Sequence, residues 1–191
     1  MIKELLYISN LISLSRFLLL GIAIYFLLDY NYLAGGVFII LIWISDLLDG
    51  YFARSRNETS ELGKIIDPLA DKVSVIAIII ILLAQGLIPL WFVIITVLRD
   101  AIILTGGLYL NSKKNIVLQS NLVGKIAVFV IGLTLFFYVF NAAASKSQIG
   151  NFFLYHSEFT ELLIQVLLFL SIVMIILSLT SYFKRFNEKI K

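Results

Sequence analysis

Long apolar runs separated by short polar breaks dominate the chain. Runs near 11–28, 33–54, 62–83, 90–110, 122–140 and 159–182 each hold roughly 18–24 residues, enough for a helix to cross about 30 Å of hydrocarbon. The breaks carry turn signals. Asp29 to Tyr32 reads as a tight polar turn, and Gln85-Gly86 followed by Pro89 marks another. A polar stretch, 111–121, precedes the fifth run; a longer loop covers 141–158, and a basic tail follows the sixth. Residues 2–9 (IKELLYIS) read as a short amphipathic helix lying at the interface. The pattern predicts an all-α integral membrane protein. It has six transmembrane helices plus that N-terminal interfacial helix, in a single domain over 1–191. Gly35-Gly36 and Gly106-Gly107 are candidate close-packing points between helices. Trp43, Trp91, Tyr30, Tyr32, Tyr109 and Tyr182 fall near span ends and read as an aromatic belt.

Composition agrees. The chain has 191 residues, 61% hydrophobic and 14% charged, and a mean hydropathy of +1.02, well outside the range of soluble domains. It has no Cys, which rules out disulfides and thiol chemistry. The net charge of +3 reads as membrane topology and not as nucleic-acid binding. Lys3 and Glu4 stand where a signal peptide would begin, and no small-residue cleavage site follows, so the first run is expected to be retained. Connections on one side of the membrane hold only Lys146 among Lys and Arg. The other side holds Lys3, Arg54, Arg56, Lys64, Lys113, Lys114, Lys184, Arg185, Lys189 and Lys191. The positive-inside rule then puts both termini at the cytoplasmic face of the cell membrane.

One segment departs from the scaffold pattern. Residues 46–71 read DLLDGYFARSRNETSELGKIIDPLAD. Asp46, Asp49, Gly50 and Ala53 recur at i, i+3, i+4 and i+7, one face of a helix. Gly63, Asp67 and Asp71 recur at i, i+4 and i+8, again one face. The polar residues 55–62 connect the two helices, so the four carboxylates are expected to face each other. Carboxylates so gathered cannot all stay ionised without a positive partner, and beside a membrane such groups are functional by default. An all-oxygen donor set, with His156 far away, favours Mg²⁺, Mn²⁺ or Ca²⁺. Four acids on two helices suit a pair of ions clamping a displacement at phosphorus. Gly50 and Gly63 leave room beside the acids. Solvated helix-end acids are the alternative. It fails for Asp46 and Asp49, which oppose the dipole at a helix C-terminus.

The arrangement Asp46-x2-Asp49-Gly50-x2-Ala53-Arg54-x8-Gly63-x3-Asp67-x3-Asp71 resembles, at every defining position and spacing, the signature of the CDP-alcohol phosphotransferases, integral membrane enzymes of phospholipid synthesis. The resemblance implies transfer of a phosphatidyl group from CDP-diacylglycerol to an alcohol, with release of CMP. It implies metal, Mg²⁺ or Mn²⁺, on Asp46, Asp49, Asp67 and Asp71, and Asp71 as general base. It also implies a CDP-lipid cleft at Asp49, Gly50, Ala53, Arg54 and Gly63. Members are commonly homodimers.

Further charged residues resemble those of the phosphatidylglycerophosphate-forming members, which points to glycerol 3-phosphate as acceptor. Asn10-x2-Ser13-x2-Arg16 is similar to their N-terminal pattern, where Thr is more usual in the middle. Arg16 either snorkels from the start of its span or faces the site with Asn10 and Ser13. Arg99, Lys125, Lys113 and Lys114 are candidates for the acceptor's phosphate. Arg99-Asp100 resembles a pair of such members, although neighbours in sequence on different helix faces need not pair with each other. Gly124-Lys125 stands where they have Gly-Lys-x-Lys-Thr, and here the second Lys and the Thr are missing. Lys72 either neutralises the acids or points away. His156 reads as a surface residue of the opposite side.

The alternative acceptors are phosphatidylglycerol, inositol phosphate and serine. Outside the family stand an intramembrane prenyltransferase, which lacks the Gly-x2-Ala-Arg insertion, and a divalent-cation transporter, which needs its acids near the bilayer midplane.

Overall fold

A computed structural model describes residues 8–56, 63–114, 121–146 and 157–190. For residues 8–11, 13, 49–56, 63–69, 71, 111, 114, 157 and 190 it describes the backbone alone. The expected interfacial helix at 2–9 falls almost wholly outside the described residues. The described residues form six helices: α1 (Ile8–Leu28), α2 (Tyr32–Arg56), α3 (Gly63–Ala84), α4 (Leu90–Lys114), α5 (Leu122–Ser145) and α6 (Ser157–Ile190). Each covers one of the apolar runs. Three boundaries differ from expectation: α4 runs on to Lys114, into the polar stretch, and α5 and α6 are also longer. α5 continues into the segment read as a loop, because Asn141 to Ser145 is an alanine-rich stretch of high helix propensity. α6 continues through the basic tail, whose Lys189 sits in the last turn and complements the dipole.

By length and composition, α4, α5 and α6 contain spans that can cross a membrane. The apolar stretches found among the described residues of the first three helices are shorter: Leu14–Leu28, Tyr32–Leu48 and Lys72–Ala84. Large apolar side chains such as Leu18, Ile80, Phe129 and Phe169 lie exposed, a surface suited to lipid and costly in water. This is a multi-pass membrane protein.

The helices fall into two compact units. In the first, α1 packs against both α2 and α3. Its buried stripe is Arg16, Leu20, Ala23 and Leu27, spaced by three and four residues. Gly35 on α2 accepts the tip of Leu27; a Cβ there would stand 2.7 Å from the Leu27 Cδ2. The α1–α2 turn is a Schellman motif: Asn31 N–H donates to Phe26 O at 2.9 Å and Tyr30 N–H to Leu27 O at 3.1 Å. Tyr30 takes the left-handed position with φ 59°. Lys146 sits over the Tyr30 ring at 4.3 Å and the Tyr32 ring at 5.0 Å, contacts that help hold this costly conformation. Asn31 caps α2, its Oδ1 accepting from Ala34 N–H at 3.2 Å. The same motif closes α3, with Gly86 in the left-handed position. There the Gln85 amide donates to Leu27 O at 2.8 Å. The ends of α1 and α3 therefore lie together, so these helices run parallel and α2 runs antiparallel to both.

In the second unit, α4 packs on α6. Gly106 faces the Tyr182 ring, and Tyr109 approaches Phe186 at 6.2 Å, so this pair runs parallel. Thr134 and Ser171 share a buried hydrogen bond of 2.9 Å between α5 and α6. Asn121 caps α5 by accepting from Gly124 N–H at 2.8 Å, and its amide donates to Ser181 at 2.6 Å. Gly107 has open space where close packing was expected. Tyr32 is buried and Tyr182 is turned against Gly106, so neither belongs to a lipid-facing belt.

Candidate functional site

The acid-bearing helices meet at one end of the first unit. Asp46, Asp49, Gly50, Ala53 and Arg54 lie in the last turns of α2, and Gly63, Asp67 and Asp71 in the first turns of α3. With α1 parallel to α3 and antiparallel to α2, both sets come to the start of α1. That is where Asn10, Ser13 and Arg16 stand.

Arg16 faces this site and does not snorkel. It is 0% exposed, and its Nη2 lies 3.1 Å from Asp46 Oδ1. A guanidinium amid apolar helices needs a partner, and the first motif acid supplies one. The pair keeps the antiparallel register set by Leu27 against Gly35, so one packing pattern delivers both contacts. The Asp46 side chain is 48% exposed. One of its oxygens is held by the arginine while the group remains open to a ligand. Ser45, its neighbour, bonds back to Ile42 O at 2.8 Å and points into the helix pair. Lys72 is exposed and Ala70 buried. Of these two it is therefore the alanine that is turned into the core.

The side chains of Asn10, Ser13, Asp49, Arg54, Asp67 and Asp71 lie outside the description. Among the described residues no three acids or histidines gather around one point. A half-exposed carboxylate such as that of Asp46, steadied from its buried side by a permanent cation, suits a hard divalent ion.

The acceptor candidates lie in the second unit. Arg99 is 6% exposed. Its Nε and Nη2 both donate to Ser178 Oγ at 3.0 Å, and Nη2 also reaches Gly124 O at 3.3 Å. Its Nη1 lies 2.6 Å from Asp100 Oδ1. The sequence left the pairing of these neighbours open, and the structure forms it. Helix-face spacing describes where side chains start and does not limit the reach of a long arginine. Lys125 follows Gly124 on α5 and is exposed, as is Lys113 at the end of α4. The Lys114 side chain and His156 lie outside the description.

Ser178, Asn121 and Ser181 were not singled out from the sequence. Ser171 and Ser178 recur at i, i+7 within an apolar span. That polar stripe was the available signal.

Comparison with known proteins follows the same lines. The CDP-alcohol phosphatidyltransferase family pattern matches residues 6–181. A CDP-diacylglycerol–glycerol-3-phosphate 3-phosphatidyltransferase of Aquifex aeolicus is 32% identical over 178 residues, 92% of this chain and 93% of that one. A protein of the same name from Bacillus subtilis is 39% identical over 95 residues, about half of each chain (50% and 49%). A cardiolipin synthase (CMP-forming) of Streptomyces coelicolor is 30% identical over 132 residues, 65% of this chain and 60% of that one.

Proposed function

This chain belongs to the CDP-alcohol phosphatidyltransferase family and is a membrane transferase of phospholipid synthesis, and we propose that it makes phosphatidylglycerophosphate. The donor is CDP-diacylglycerol and the acceptor glycerol 3-phosphate. The acceptor hydroxyl oxygen bonds to the lipid-side phosphorus, the bond from that phosphorus to the CMP oxygen breaks, and CMP leaves with the electron pair. Asp71 takes the hydroxyl proton.

Asp46, Asp49, Asp67 and Asp71 would hold divalent metal, Mg²⁺ or Mn²⁺, as two ions. When bound, it supplies charge to the diphosphate and the departing CMP. Asp49, Gly50, Ala53, Arg54 and Gly63 form the CDP-lipid cleft, with Asn10, Ser13 and Lys72 in support. Arg16 holds Asp46 from its buried side. Arg99, Lys125, Lys113 and Lys114 form the cationic site that a phosphorylated acceptor requires. The family domain occupies the whole chain, with six transmembrane helices, an interfacial N-terminal segment and both termini in the cytoplasm. That orientation supplies nucleotide-activated substrate from the side where nucleotides are made. The working form is a homodimer.

The observation that carries this reading is the buried Arg16 on Asp46 at the meeting point of the two acid-bearing helix ends. The relative from Aquifex aeolicus, similar over nearly its whole length, supports the acceptor. Cardiolipin synthases among the relatives support phosphatidylglycerol as the second reading. CMP release by purified protein decides between them, using CDP-diacylglycerol, Mg²⁺ and each acceptor in turn. Release with glycerol 3-phosphate alone is expected, and its loss in Asp71→Asn. Release with phosphatidylglycerol alone replaces the product by cardiolipin. No release with any alcohol, from folded protein, overturns the enzymatic assignment.

A further inference from the structure

The buried arginine of the second unit is held from a helix other than its own. Two of its donors, Nε and Nη2, converge on the single hydroxyl oxygen of Ser178, each at 3.0 Å. Ser178 is 2% exposed and sits on α6. A guanidinium gripped along one edge cannot turn about its terminal bonds, so the opposite edge has a fixed heading. At that edge Nη1 already meets an anion, the Asp100 carboxylate at 2.6 Å, and the Asp100 side chain is 63% exposed. The fixed edge is therefore an anion site that opens outward.

Apolar helices give serine an easier partner. Thr180 on the same helix bonds back to Ile176 O at 2.8 Å, the usual resolution. Ser178 instead accepts from Arg99. Nη2 also reaches Gly124 O at 3.3 Å, one residue before Lys125. Ser178, through Arg99, thus fixes both a guanidinium edge and the first turn of α5.

We propose that Ser178 is a positioning residue for the acceptor's phosphate. It holds Arg99 so that the Nη1 edge is presented to a phosphate monoester. Asp100 occupies that edge until the phosphate takes its place. This rests on the phosphorylated-acceptor reading above.

The test is steady-state CMP release by the full-length protein in detergent, with both substrates varied. Ser178→Ala is expected to raise the KM for glycerol 3-phosphate about tenfold, through loss of the hydroxyl that both Arg99 donors share. The KM for CDP-diacylglycerol stays near the wild-type value. Ser178→Thr keeps a hydroxyl at the same carbon and restores the acceptor KM. Should Ser178→Ala not fold, Ser178→Cys fills the same space with a weaker acceptor and raises the acceptor KM severalfold. Both KM values moving together, or neither moving, overturns the proposal. Wild-type protein inactive with glycerol 3-phosphate overturns the acceptor reading and this inference with it. Wild-type activity with an unmoved acceptor KM overturns this inference alone.

Discussion

Arg16 and Arg99 are both buried in apolar helices, yet they are compensated in opposite ways. Arg16 meets an acid from another helix, Asp46, which is itself part of the motif. Arg99 grips a neutral hydroxyl and a backbone carbonyl on two other helices, and its acid is merely its sequence neighbour. A buried cation is tolerated only with compensation, and the kind of compensation determines what the cation can do next. Arg16 is ion-paired with a motif carboxylate and steadies it. Arg99 is fixed by neutral oxygens, and the acid at its Nη1 is a largely exposed neighbour that an incoming anion could displace. The first arrangement suits a metal ligand, and the second suits a substrate site.

The contrast can be broken by substitution. The largest effect is expected at Asp71→Asn, the proposed base, where CMP release should fall about 10²–10⁴-fold while the protein remains folded by size-exclusion chromatography. Arg99→Gln comes next. Loss of a charge-assisted contact should raise the KM for glycerol 3-phosphate about 10–100-fold, read from initial rates.

Arg16→Gln should act on stability before substrate affinity. It leaves the motif acids without their buried cation, at about 1–2 kcal/mol once the half exposure of Asp46 is discounted. Melting of metal-free protein should shift down, and Mg²⁺ should raise the melting temperature by more than it does in wild type. Glycine contacts give the smallest effects. Gly35→Ala against Leu27 and Gly106→Ala against Tyr182 should each cost about 1 kcal/mol in thermal melting. Gly107→Ala, which meets open space, should stay within about 0.5 kcal/mol.

Much of this was legible in the chain. The helix positions follow the apolar runs because a bilayer imposes both length and hydropathy. The four aspartates stood out because acids beside such runs carry a large cost. Arg16 could be narrowed to two readings, and contact with Asp46 separates them, since a register between helices is invisible to single-helix periodicity. Ser178 was missed because one serine in an apolar span looks like many others until its partner on α4 is known. The Arg99–Asp100 pair stayed open because face spacing describes Cβ directions and not the reach of a long side chain. Gly106 and Gly107 read alike in sequence, and only the position of Tyr182 distinguishes them.

The most direct test sets the two arginines side by side. Initial rates of CMP release are measured for Arg16→Gln and Arg99→Gln with CDP-diacylglycerol and glycerol 3-phosphate varied independently at saturating Mg²⁺. The account predicts a raised acceptor KM with an unchanged donor KM for Arg99→Gln. For Arg16→Gln it predicts lower turnover with an unchanged acceptor KM. The same kinetic profile in both variants would contradict it.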